Sequence, residues 1–215
     1  MVDIDADAMP VIAELPRLHT LSCQDTPAGD DGWVALSRSR TIASIWGRRC
    51  HNLQRRGFQA LSRMPALHTL SVSCKNVDDE GVAALPHFPA LRDLMPMDIP
   101  DAGYRHVARC LDLEVLTLMY CRDTSDAATE HLVSLPRLRR YFASYTQVTD
   151  RTPALLSTID SLESVTFDSC ARLTNAGVAQ LARLPRLREV RVSGRRITGD
   201  VVGLFPPSVD VHYAR

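Results

Sequence analysis

Apolar residues along Asp160–Leu184, DSLESVTFDSCARLTNAGVAQLARL, change period half-way through the segment. Leu162, Val165 and Phe167 follow an L-x-x-L-x-L spacing, and the last two, with period 2, belong on one face of a short strand. Cys170 closes a turn and Leu173 points back inward. Thr174 and Asn175 then offer side-chain oxygens where a helix begins. Val178, Leu181 and Leu184 follow at helical spacing, and Pro185 ends the turn before Leu187 opens the next strand. The segment predicts one strand–turn–helix unit.

The unit recurs. The first apolar residue of each strand falls at Leu18, Ile42, Leu67, Leu91, Leu113, Leu138, Leu162 and Leu187, with spacings of 24, 25, 24, 22, 25, 24 and 25 residues. Inward strand pairs repeat in phase, as in Leu21/Cys23, Leu70/Val72, Leu116/Leu118 and Val190/Val192. Helix-side residues such as Trp33/Leu36, Phe58/Leu61 and Val82/Leu85 repeat as well. A fixed period of this length predicts a stack of supersecondary units, each burying its apolar face against the next.

Segments such as GFQALSRMPALHTLSVSC, GVAALPHFPALRDL and GVAQLARLPRLREVRV resemble the leucine-rich-repeat superfamily. The nearest types are the cysteine-containing and bacterial T-D-x-G-L (GALA-like) repeats. Cys50, Cys74, Cys121 and Cys170 follow their strands where those repeats carry Cys or Asn. Thr149-Asp150, Thr174-Asn175 and Asp78-Asp79 occupy the position of the T-D pair. The resemblance implies an α/β fold, a right-handed leucine-rich-repeat solenoid or horseshoe with a parallel concave β-sheet and convex helices. Residues 1–215 would form a single domain of about eight repeats, with the first helix (9–15) and last strand (209–213) incomplete. Neither end resembles a dedicated cap, so the chain is expected to be minimally capped or part of a longer protein. Open ends of this kind leave room for self-association.

Three departures from the pattern predict irregularity. Pro96 falls where the fourth strand should donate to the ladder, which predicts a disturbance or bulge. Gly47 stands where an apolar side chain is expected, and the fifth repeat, DTSDAATEHLVSL, predicts a longer helix.

Composition narrows the function classes. Basic and acidic residues balance at 25 each, so no net field draws the chain to nucleic acid or an anionic membrane. No apolar run reaches the ~18 residues of a membrane span, and the acidic opening MVDIDADAMP is unlike a secretory signal. Six scattered cysteines without a C-x-x-C pair fit structural thiols in a reducing, cytoplasmic compartment. Cys50-His51 lacks an orienting carboxylate, and the histidines have no metal-ligand spacing. No Gly-rich phosphate loop is present. The expectation is no enzyme, no cofactor and no metal.

Function on such a scaffold lies on the strand positions that face away from the helices. Most of these are small or polar. Trp46, Met95, Met97, Met119 and Phe142 are large and apolar, Arg48 and Arg140 lie beside them, and Tyr120 and Tyr145 lie one step beyond on the same rim. Aromatic, Met and Arg side chains gathered on a solvent face have the composition of interface anchors. These nine residues predict a protein–protein interaction surface on the concave face. The resemblance also admits a second role, as the substrate-recognition segment of a larger ubiquitin-ligase-like or bacterial effector protein.

Overall fold

The computed structural model describes residues 4–119 and 121–214. The chain divides into two compact units, residues 1–99 and 100–215. The first carries β1 (Thr20–Gln24), β2 (Ser44–Arg48), β3 (Thr69–Ser73) and β4 (Asp93–Met97), all parallel and in chain order. Helices α1 (Ala8–Ala13), α2 (Asp30–Leu36), α3 (Arg55–Leu61) and α4 (Asp79–Val82) precede or connect them. The second unit repeats the scheme with β5 (Val115–Leu118), β6 (Arg140–Ser144), β7 (Ser164–Asp168), β8 (Glu189–Ser193) and β9 (Asp210–Ala214), again parallel. Its helices are α5 (Tyr104–Val107), α6 (Asp126–Leu132), α7 (Arg151–Leu156) and α8 (Asn175–Val178), supplemented by 3-10 turns. At seven residues, α6 is the longest α-helix of the second unit, equal to α2 and α3.

Side chains alternate as period 2 demands. Leu21, Ile45, Leu70 and Leu94 are buried in the first unit, and Leu116, Tyr141, Val165 and Val190 in the second. In both units these residues pair in register from strand to strand, so apolar rows run across the rungs beneath the helices. Gly47 no longer looks irregular in this setting. A Cβ at Gly47 would sit 3.0 Å from the Cys50 sulfur and 3.2 Å from a Val72 methyl, with the buried Trp33 ring at 3.6 Å. The indole fills the volume that an ordinary strand residue would occupy.

On its β3 side, β4 shows none of the bulge expected at Pro96. β4 keeps full register with β3, Val72 facing Pro96, without a bulge. The Asp93 N–H donates to the His68 carbonyl and the Met97 carbonyl accepts from the Cys74 N–H, so 93 and 97 turn their polar groups toward β3. Pro96 is one residue out of phase with them. Its nitrogen points away from β3, and that ladder loses no donor.

A second series of contacts ties each rung to the next on the helix side. Asp101 accepts from the Ser125 N–H and hydroxyl, Asp126 from those of Thr149, and Asp150 from those of Thr174. Asn175 accepts from the Thr198 N–H in the same way. Thr149 and Thr174 also bond within their own turns, accepting from the Arg151 and Gly177 N–H groups. The pair therefore satisfies orphan donors both within one rung and between two. Burial opposes ionisation of Asp126, but the bonds from Thr149 and Thr152 outweigh it and hold the carboxyl below its ordinary range.

Leu116→Asp places an unpaired carboxylate in a fully buried row and should cost several kcal/mol, roughly 3 or more; Gln24→Ala, on an exposed side chain, should stay within about 0.5 kcal/mol in the same denaturant titration. Asp126→Ala strands three donors and should cost about 1–3 kcal/mol at neutral pH. Because the folded-state pKa is lowered, that contribution is present above the unfolded carboxyl pKa and fades as pH falls through the folded value. The gap between wild type and variant should therefore narrow below about pH 4.

Candidate functional site: the open face of the sheet

The strand positions between the buried rows form a grid on the face turned away from the helices. In the first unit the middle row is Ser22, Trp46, Ser71 and Met95, in register across β1 to β4. Trp46 and Met95 are half-buried and stand on either side of Ser71, which is only 7% exposed. Arg48, also half-buried, follows one step along β2. The register of β4 thus keeps Met95 on this face.

Met97 does not match its expected exposure. It is in register with Ser73, and the two are 3% and 5% exposed. Both occupy the last position of their strands. There the Arg49 N–H donates to the Ser73 hydroxyl and the Cys74 N–H to the Met97 carbonyl, both at 2.8 Å. Met97 therefore offers little free surface.

In the second unit the middle row is Thr117, Phe142, Thr166, Arg191 and His212. Thr166 is small between two long neighbours, and the row opens there into a cavity of about 280 Å³. Phe142, Asp168, Arg191, Ser193 and His212 line it with Thr166, together with Tyr213 and Ala214 of β9. Arg140, exposed, begins the same strand as Phe142, and Met119, half-buried, lies just past β5. Tyr120 lies outside the described residues.

Tyr145 is 61% exposed and stands in the turn after β6 rather than on the sheet. Its φ is +55°, and Asp25, Arg49, Asp98 and Ser169 take the same left-handed conformation seven residues after their strand anchors. For residues other than Gly this conformation costs roughly 1–2 kcal/mol. It persists because the next rung accepts the N–H: Tyr145 donates to the Asp168 carbonyl at 3.0 Å and Ser169 to the Ser193 hydroxyl at 2.8 Å. Tyr145 thereby projects beside a second open cavity, shared with Ser169, Ser193 and Arg195.

Electrostatics on the second unit's face are mostly self-paired. Arg191 donates through Nε and Nη2 to Glu189 Oε1 at 2.9 and 2.6 Å, which lowers the Glu189 pKa and raises that of Arg191. His212 Nε2 lies 3.0 Å from Asp210. Asp168 accepts from the hydroxyls of Ser193 at 2.7 Å, Ser144 at 3.0 Å and Ser169 at 3.2 Å. The Ser193 bond above all holds it below the usual carboxylate range against the opposing effect of burial, with Ser144 and Ser169 adding to it.

Thr166, Asp168, Arg191 and Ser193 have the strand parity of this face, but small and polar residues there look merely solvated in the sequence. What marks them is the register that sets Thr166 between Phe142 and Arg191. A cavity of this kind shows only once neighbouring rungs are aligned.

All six cysteines are buried free thiols. Four of them repeat one contact, with Cys50, Cys74, Cys121 and Cys170 each donating to the carbonyl two residues upstream, at 3.5–3.8 Å. Their role in the repeat is thus to cap a strand end. Contact with Cys23 and burial both push the Cys50 thiol up, while His51 is exposed beside it. Among the described residues no group of His, Cys, Asp and Glu could hold a metal ion, and no helix is long and apolar enough to cross a membrane.

No protein-family model and no curated protein matches the sequence. Solved structures do match. Rad7, from the yeast Rad7–Elc1 complex, aligns over 96% of this chain and 71% of its own with a TM-score of 0.58 and 12% identity. An internalin (InlF) from Listeria monocytogenes aligns over 96% of this chain and 67% of its own, with a TM-score of 0.60 and 16% identity. Internalin C2 (InlC2) of the same organism aligns over 98% and 84%, with a TM-score of 0.56 and 15% identity.

The fold is that of the leucine-rich repeat.

At these identities the likeness establishes architecture alone. What this leucine-rich-repeat chain does must be argued from its own open face. One reactivity test bears directly on the thiols. Iodoacetamide at neutral pH should leave Cys50 unmodified in native protein over the time in which it labels the unfolded chain fully; native labelling as fast as for a free thiol would show a reactive site that burial does not provide for.

Proposed function

We propose that this chain is a non-catalytic protein-binding module that takes partner protein on the open sheet faces of its units. The observation that carries the proposal is the placement of large side chains astride small ones in register. Trp46 and Met95 flank Ser71 in the first unit, and Phe142 and Arg191 flank Thr166 in the second. Such a row presents an aromatic anchor beside a recess into which a partner's side chain can be lowered, and aromatic and Arg residues dominate binding energy at protein interfaces. Arg48, Arg140, Met119 and the projecting Tyr145 would extend contact from these anchors. Met97, being buried, would act only by supporting the strand end.

Six buried free thiols support a reducing, cytoplasmic setting. The T-D pairs and strand-end cysteines support kinship with the cysteine-containing and GALA-like repeats. A second reading makes the chain the recognition segment of a larger ubiquitin-ligase-like or effector protein, and the likeness to Rad7, solved in complex with Elc1, is in keeping with it. A reading frame that continues into a catalytic or adaptor domain separates this from a free-standing module.

The test uses intact protein as bait and compares Trp46→Ala, Phe142→Ala and the double variant. Each single change should weaken the captured partner's binding by about 2 kcal/mol, with circular dichroism and the melting temperature nearly unchanged, since both side chains stand on the open face. Normal binding by the double variant would refute the proposed face.

A further inference from the structure

The second unit's cavity also carries information about the chemistry of its occupant. Its charged groups differ in how they are compensated. Arg191 is neutralised by Glu189, which also accepts from the Ser164 hydroxyl at 3.0 Å. His212 is next to Asp210. Asp168 has only the three serine hydroxyls, which are neutral donors, and no cation pairs with it among the described residues. Its Oδ1 takes two of those bonds and its Oδ2 only one, so Oδ2 retains acceptor capacity. Asp168 is half-buried, and Phe142 and Thr166 line the same open cavity.

Of the three kinds of side chain that fit such a space, two are disfavoured. An apolar group would seal an ionised carboxylate away from water without a counter-charge, which is costly. An anion would face Asp168 and find Arg191 already occupied. A guanidinium or ammonium group gains both a charge-assisted hydrogen bond to Oδ2 and contact with the aromatic ring. We infer that the cavity between Phe142 and Asp168 receives an arginine or lysine side chain from an exposed segment of the partner protein. This inference rests on the open-face reading above and adds to it the sign of the partner's charge.

A peptide-display selection on immobilised full-length protein tests it, followed by binding measurements on synthetic copies of the enriched peptides. Enriched peptides should share an arginine or lysine at one position and lose binding to Phe142→Ala. Replacing that arginine by citrulline, its neutral isostere, or that lysine by acetyl-lysine should weaken binding roughly ten-fold on wild-type protein. Asp168→Asn should abolish most of that difference while retaining the native melting temperature within a few degrees. The modified peptides probe the charge without altering the protein, so the test stands even if Asp168→Asn fails to fold. If the enriched peptides bind through Phe142 but carry acidic or apolar residues at the shared position, the cation inference fails and the open-face reading survives. If no enriched peptide depends on Phe142, both fail.

Discussion

A rung of some two dozen residues cannot hide its own apolar face. Its strand contributes two inward side chains and its helical turn two or three more, and each needs the neighbouring rung to keep water out. Every other feature of the molecule answers to that dependence. Register matters because Leu21, Ile45, Leu70 and Leu94 must lie in one row for any of them to be buried. The polar contacts obey the same demand, since Asp126 and Asp150 spend their oxygens on the N–H groups of the following rung. The left-handed turns at Tyr145 and Ser169 are held open by acceptors on the next strand.

This division of labour leaves one surface uncommitted. Helices cover one side of each unit's sheet, and side chains there are chosen by volume, as the exchange between Gly47 and Trp33 shows. On the other side nothing in the rung's own packing specifies the residue. Trp46 and Phe142 are therefore free to differ from rung to rung with little cost to the stack. A repeat scaffold separates stability from recognition in this way, and its function is read from the residues that break the repeat on the open face.

Much of this was legible in the chain. The anchors from Ile42 to Leu187 are buried, and the face positions of Trp46, Met95 and Phe142 follow from period 2 once the anchors are aligned. Three things were not legible. Met97 has the right parity for the open face yet is buried, because parity tells which side a residue faces and not how far its neighbours cover it. The effect of Pro96 depends on which neighbour its nitrogen faces, a matter of phase along the ladder. Asp168 looked like a solvated carboxylate because its three hydroxyl donors come partly from Ser144 and Ser193, residues two dozen positions away on other strands.

The two tryptophans of the chain report on opposite sides of the sheet, with Trp33 wholly buried and Trp46 on the open face. Acrylamide quenching of native protein, with and without Trp46→Phe, therefore tests most directly whether interior and recognition face are divided as described. The account predicts a quenchable component that disappears with Trp46→Phe, leaving blue-shifted emission from Trp33 that acrylamide barely reaches. Ready quenching of Trp33 in the variant, or an unquenchable Trp46 in the wild type, would contradict it.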